Sequence, residues 1–249
     1  METNRKNDSE LIVGRNCVTE ALKSGRPIDR LFVSKGAGGS LVSIIAQAKK
    51  SGAVIKEVDS RKLDSLCSGA NHQGVVAFAA AKQYASIDSI FELAQSRGEP
   101  PFIIILDGIE DPHNLGAIIR TAECAGAHGV IIPKRRSAGL SHIVDKTSAG
   151  ALEYLPVARV VNLPTTIDEL KQRGLWVYGA DMNGENYTSA DLSGAAALVI
   201  GNEGKGLSRL VRDKCDCILS LPMRGKISSL NASVAAGILM YEFMRQRNG

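Results

Sequence analysis

FIIILDGIEDPHNLGAIIRTAECAGAHGVIIP, residues 102–133, decides how the larger part of this chain is read. Phe102 to Leu106 form a continuous apolar run, which suits a strand buried on both faces. Leu115, Ile118, Ile119 and Ala122 then recur at helical spacing, and Val130 to Ile132 restart an apolar run that ends at Pro133. Strand, helix and strand of this kind predict a parallel sheet with helices on both faces. Ligands in such sheets sit beyond the carboxyl ends of the strands. The turn between the first strand and the helix is therefore a candidate site, with Asn114, Gly116 and Arg120 around the start of that helix. On this stretch alone they also read as an N-cap, a close-packing glycine and a solvated charge.

The same alternation continues outward. After a basic loop, KRRSAG, come a helix (HIVDKTSAGALE), a strand (PVARVV) and a helix (TIDELKQRG). Two strands (WVYGAD and AALVIG), a helix (LSRLVRDKC), a strand (CILSLPM) and a final helix from about Leu230 complete the pattern. Upstream, helices GRNCVTEALKSG, SLVSIIAQAKKSG and RKLDSLCSG alternate with strands DRLFVSK, AVIKEVD and GVVAFAAA, predicting a separate small α/β domain. The expected organisation is a disordered tail at 1–9, a small domain at 10–82, a linker with one short helix at 83–99, and a large domain at 100–249. Pro100-Pro101 closes the linker, since proline cannot continue a helix.

Composition excludes several classes. At 44% hydrophobic and 22% charged, the chain has the balance of a globular protein with an ample core. Its longest apolar runs are too short to span a bilayer, and METNRKNDSE lacks the apolar centre of a secretion signal, so a cytoplasmic location is expected. Cys215 and Cys217 form a C-x-C, but no second pair or nearby His completes a tetrahedral set, and no metal site is expected. Residues 1–82 hold 13 Lys and Arg against 8 Asp and Glu, whereas residues 83–249 hold 17 against 18. A positive surplus confined to the first third suits a polyanionic partner. Lys49, Lys50, Arg61 and Lys62 in that part, and Arg135 and Arg136 in the basic loop, are the candidate contacts to such a polyanion.

Two further strand-end loops are chemically unusual. VIGNEGKGL, from Val199, packs three glycines around Asn202 and Glu203. It is not a P-loop, because Lys205 is followed by Gly206 instead of Ser or Thr, and its glycine spacing reverses that of a dinucleotide fingerprint. An acid among exposed carbonyls suits a ligand with a positive centre; Glu203 can equally anchor backbone N–H groups of the turn. LPMRGKISSLNASVAAG, from Leu221, offers Ser228, Ser229 and Asn231 around Leu230 at a helix start, more polar groups than a cap requires.

Together, DPHNLGAIIRTAECAG, VIGNEGKGLSRL and LPMRGKISSLNASVAAGILMYE closely resemble motifs 1, 2 and 3 of the SpoU/TrmH group of SPOUT RNA 2′-O-ribose methyltransferases. The first 82 residues resemble the small substrate-binding domain, akin to kink-turn-binding ribosomal proteins, of the RlmB-like branch, which acts on large-subunit ribosomal RNA. The resemblance implies a trefoil-knotted catalytic domain, a homodimer with the final helix at its interface, and S-adenosylmethionine as cofactor. Carried over by motif, Gly201, Asn202, Leu221, Met223 and Leu230 would hold the cofactor. Arg120 would be the key catalytic residue, as base or phosphate clamp, with Asn114, Glu203, Ser229 and Asn231 completing the site. A guanidinium holds its proton too tightly to be an apt base, which favours the clamp. Ala232 stands where many members carry Val, and Asn202 where some carry Ala. In the final helix, Val234, Ile238, Leu239, Met240 and Tyr241 exceed what one stripe can bury, so Met240 and Tyr241 are expected at the dimer contact.

Overall fold

A computed structural model describes residues 9–36, 38–80 and 82–248; the tail expected at 1–9 lies, Ser9 apart, outside the described residues. The chain divides into two compact units, Met1–Gln83 with Leu140–Tyr154, and Tyr84–Gly139 with Leu155–Gly249.

The first unit contains β1 (Ser9–Val13), α1 (Arg15–Lys23), β2 (Ile28–Ser34), α2 (Ser40–Lys50), β3 (Val54–Val58), α3 (Ser60–Leu66) and β4 (Val75–Ala80). Its sheet runs β1-β4-β2-β3, with β4 antiparallel to both β1 and β2, and β3 parallel to β2. Successive side chains of β2 point to opposite faces. Leu31 and Val33 therefore join Val18, Leu41 and Ile44 under α1 and α2, while Phe32 joins Leu63 and Cys67 under α3. The strand β1 was not anticipated; its short Leu-Ile-Val run lies directly against the helix and carries no turn signal of its own.

Residues 140–154, expected within the large domain, pack in this first unit through α6 (His142–Thr147) and the 3-10 turn Ala151–Glu153. Chemistry explains the placement. The Glu153 carboxylate accepts from Arg26 Nη1 at 2.9 Å and Lys82 Nζ at 3.1 Å, and Arg26 Nη2 also reaches Glu10 at 2.7 Å. Arg26 and Glu153 side chains are 7% and 3% exposed, and breaking such a buried pair leaves an uncompensated charge.

Beside this cluster lies Asp145, buried, with Oδ2 lacking any hydrogen-bond partner. Burial pushes its pKa up to about 7; Glu10 and Glu153 add to the rise, while Arg26 and Lys82 oppose it. A carboxyl that binds its proton more tightly when folded contributes stability below its unfolded pKa, and that contribution is lost as pH rises through 7. Asp145→Asn is therefore expected to melt higher than the parent at pH 8, by up to about 4 kcal/mol, and equally at pH 4. Thermal melts followed by circular dichroism across that range check it; a parent whose stability rises between pH 5 and 8 relative to the variant contradicts it.

The second unit contains α4 (Ile87–Arg97), β5 (Phe102–Asp107), α5 (Pro112–Cys124), β6 (Gly129–Pro133), β7 (Val157–Val160) and α7 (Leu163–Gln172). It continues through β8 (Trp176–Asn186), β9 (Ala196–Gly201), α8 (Arg209–Lys214), β10 (Cys217–Ser220) and α9 (Ala232–Asn248). The sheet order is β10-β8-β9-β5-β6-β7, and every neighbouring pair is parallel. On one face Ile103, Ile105, Val177 and Val199 pack with Ile167 and Leu170 of α7 and Val211 of α8. On the other, Phe102 stacks on Phe243 of α9 at 4.7 Å, and α9 packs on α5.

Two expectations need correction. The stretch 83–99 is no mere linker, because Ile90 of α4 is fully buried in this core alongside Ile103 and Ile131. In α9 Met240 is fully buried within its own chain, whereas Val234, Ile238 and Tyr241 are 49%, 39% and 47% exposed. These three are spaced i, i+4, i+7, so they form one solvent-facing apolar stripe.

Candidate active site

Three segments meet beyond the carboxyl ends of β9 and β10. After β9 the chain doubles back: Asn202 N donates to Gly206 O at 3.1 Å and Gly206 N to Asn202 O at 2.8 Å. The Asn202 side chain locks this loop. Its Oδ1 accepts from Gly204 N and Lys205 N, and its Nδ2 donates to Gly108 O after β5. At Gly201 a Cβ would stand 2.3 Å from Gly206 C and 2.5 Å from Leu207 N, both backbone. Only glycine fits where the backbone folds on itself this closely.

The loop bounds a cavity of about 450 Å³. Gly201, Asn202, Leu221, Met223 and Leu230 all line it, as do Glu203 and Ser229. Asn114 and Asn231 join by hydrogen bonds. Asn114 Nδ2 donates to Glu203 Oε1, and Asn231 Nδ2 donates to Asn114 Oδ1 at 3.0 Å. Asn231 Oδ1 in turn accepts from Ser233 N at 3.0 Å and Val234 N at 3.3 Å, capping α9. A single relay of amides thus ties the start of α5, the glycine loop and the start of α9 to one carboxylate. Both ends of the Asn114 amide are engaged in this relay.

Arg120 itself lies six residues further along α5, roughly 9 Å along the helix axis at 1.5 Å per residue. It is exposed, and its guanidinium makes no hydrogen bond or ion pair among the described residues. Arg135 and Arg136 are exposed after β6. Lys49 and Lys50 end α2, whereas Arg61 and Lys62 begin α3, so the length of β3, roughly 17 Å, separates the two exposed pairs.

Sequence reasoning missed one wall of the cavity. The pairing of β10 with β8 jumps between Ile218 and Leu219, from Gly179 to Glu185, and the intervening bulge brings Asp181 and Asn183 to the cavity. Burial works against ionisation of Asp181. The Asn183 amide and the Arg212 guanidinium, 2.6 Å away, outweigh it and hold the carboxyl below its usual range. The signal was the polar run DMNGEN directly after an apolar strand, which a bulge accommodates and an unbroken ladder does not. Among the described residues no group of three or more His, Cys, Asp and Glu could hold a metal ion, and no helix is long and apolar enough to cross a membrane.

Residues 101–241 match the SpoU rRNA Methylase family, more than half of the chain. The chain belongs to the SpoU rRNA methylase family. Residues 11–85 match the RNA 2′-O ribose methyltransferase substrate-binding domain. A putative TrmH family tRNA/rRNA methyltransferase of Bacillus subtilis, YacO, is 50% identical over 241 residues, 96% of each chain. The SpoU methyltransferase AviRb of Streptomyces viridochromogenes superposes with a TM-score of 0.83 at 28% identity, over 97% of this chain and 90% of that one. Its complex with AdoMet superposes with a TM-score of 0.82 at 27% identity, over 99% and 95%. The parallel sheet flanked by helices, preceded by a substrate-binding domain, is the SPOUT arrangement that the motifs implied, and SpoU enzymes are RNA methyltransferases that use S-adenosylmethionine.

The cavity suits such a cofactor. Its walls combine apolar Leu221, Met223, Leu230 and Leu239 with the Glu203 carboxylate, which complements a positive centre, while Asp181 is already paired with Arg212. Gly201→Ala would push the glycine loop apart, so it is expected to weaken S-adenosylmethionine binding at least about tenfold, the effect of roughly 1.4 kcal/mol. Calorimetric titration measures it; unchanged affinity would place the cofactor elsewhere.

Proposed function

We propose that this protein is an S-adenosylmethionine-dependent ribose 2′-O-methyltransferase, a cytoplasmic homodimer that modifies a guanosine in structured large-subunit ribosomal RNA. The observation that carries the reading is the cavity on which three distant loops converge, floored by Gly201 and rimmed by Glu203 and Ser229. When bound, S-adenosylmethionine supplies a methyl group already activated on a sulfonium.

What remains for the protein is to position a weakly acidic hydroxyl and manage its proton. Glu203 is held in place through Asn114 and Asn231, so its carboxylate meets the ribose without reorganising. Ser229 offers a hydroxyl on the same wall. Arg120, exposed on α5, is suited to grip the phosphate next to the target ribose through its planar fork. Arg135 and Arg136, with Lys49, Lys50, Arg61 and Lys62 in the first unit, would hold the surrounding RNA. The exposed stripe Val234, Ile238 and Tyr241 would be the two-fold contact between protomers.

The test has two parts. Titration should give S-adenosylmethionine binding and none by ATP or GTP. Mapping ribose methylation across ribosomal RNA from cells with and without the gene should reveal one missing 2′-O-methylguanosine in the large-subunit RNA. An unchanged ribosomal map with a lost mark in transfer RNA would replace the substrate and keep the chemistry.

A further inference from the structure

A second, larger cavity of about 930 Å³ lies in the same unit, beyond the carboxyl ends of β5, β6, β7 and β9. The loop Asn202–Gly206 divides the two spaces: Asn202, Lys205 and Gly206 line both. Four cationic side chains face this second cavity, Arg135, Arg136, Lys205 and Arg209, and all four residues are exposed. Among the described residues, only Arg209 has an ion-pair partner, Asp213 at 3.9 Å, and it remains 93% exposed. Two carboxylates share the space. Asp107 accepts from Ser208 N at 2.7 Å, and it and Glu110 are the two charges that oppose the cations.

The basic loop is built rigidly for a segment so polar. Lys134 N donates to Val160 O at 2.7 Å, Arg159 Nη2 to Lys134 O at 3.0 Å, and Ala138 N to Ile109 O at 2.9 Å. Between these ties Arg136 sits at φ +56°, a left-handed conformation that costs a non-glycine residue free energy. The fold thus fixes the loop at both ends and leaves its two arginines at the apex without an ion-pair partner among the described residues. On the cavity's apolar side Val161 and Leu210 are 82% and 68% exposed. Four cations against two carboxylates, beside exposed apolar side chains in a cavity of about 930 Å³, match an unpaired RNA strand better than a small anion.

We infer that this cavity is the seat of the single-stranded RNA flanking the target nucleotide, its phosphates held by Arg135, Arg136, Lys205 and Arg209 on the far side of the glycine loop from the cofactor. The inference rests on the proposed RNA methyltransferase function and adds to it where, and in what form, the substrate strand runs. Partition by one thin loop would let a strand pass the cofactor cavity at the edge where Lys205 and Glu203 stand.

The test uses the full-length protein and leaves Lys205 intact, because that residue also borders the cofactor cavity. Charge reversals Arg135→Glu/Arg136→Glu and Arg209→Glu are compared with the parent for binding a mixed-sequence 12-nucleotide single-stranded RNA, the same RNA as a duplex, and guanosine monophosphate. Each reversal should weaken single-strand binding at least tenfold with S-adenosylmethionine affinity unchanged within twofold. Neutralising both loop arginines as Arg135→Ala/Arg136→Ala should lower the slope of log affinity against log salt by about 1.4, at roughly 0.7 per phosphate on single strands. Single-strand affinity unmoved by the reversals would overturn the inference, as would duplex or mononucleotide binding as tight as the 12-mer. Parent protein that binds no S-adenosylmethionine would instead overturn the proposed function, so the two failures are separable.

Discussion

Arg120→Ala is expected to cut methyl transfer at least about a hundredfold, the loss typical when one donor to a reacting group is removed, while S-adenosylmethionine affinity stays within a few-fold. The separation follows from position. Arg120 is exposed on α5, outside the cavity lined by Gly201, Leu221, Met223 and Leu230, and no hydrogen bond ties it to them. Arg120→Lys distinguishes its roles. A phosphate clamp that needs a planar fork loses most of its function with lysine. A base, by contrast, gains a group of lower pKa, and the pH profile of the rate would then move downward. Single-turnover assays with saturating cofactor read both variants. Near-normal turnover of Arg120→Ala would remove the residue from the mechanism.

The second large effect concerns assembly. Val234, Ile238 and Tyr241 form an apolar stripe on a helix whose opposite side, Ala236, Leu239, Met240 and Phe243, is already buried. Ile238→Asp/Tyr241→Asp is expected to convert a dimer to a monomer at micromolar concentration and to lower activity at least about tenfold, because the pair of charges would be desolvated in the contact. Sedimentation velocity and the methyl-transfer rate, measured on the same samples, check it. Met240→Asp, in contrast, would unfold the second unit, since Met240 is fully buried. A parent protein that is a monomer with full activity would sink the proposal.

How much was legible in the sequence differs between fold and site for physical reasons. The β5–α5–β6 unit was readable because continuous apolar runs and a 3.6-residue repeat are local signals. The extension of β8 was not, since the polar residues Asp181 to Asn186 are strand-like only through pairing with β10 across a bulge. The second stripe of α9 was visible as excess apolar residues, but periodicity did not say which stripe the chain itself covers, and Met240 was assigned to the wrong one. For the site, Gly201, Glu203 and Leu230 were singled out by composition and motif, and they do line one cavity. The links that organise them, Asn114 to Glu203 and Asn231 to Asn114, span 89 and 117 residues and have no local signature. The same is true of Glu153, whose burial against Arg26 no window of sequence announces.

That last ion cluster has a bearing on how the protein is made. The first unit is complete only when residues 140–154 arrive, because Glu153 joins Glu10 in balancing Arg26 and Lys82. A ribosome that has finished Lys82 must add 72 more residues before Glu153 and Tyr154 exist, a wait of roughly 4 to 14 seconds at 5–20 residues per second. During that interval Arg26 has Glu10 but not Glu153, and Cys17 and the β1 edge lack the cover of α6. The nascent amino-terminal third thus stays without its last packing element until the chain is well past half made, and a stall between codons 83 and 154 would strand it incomplete.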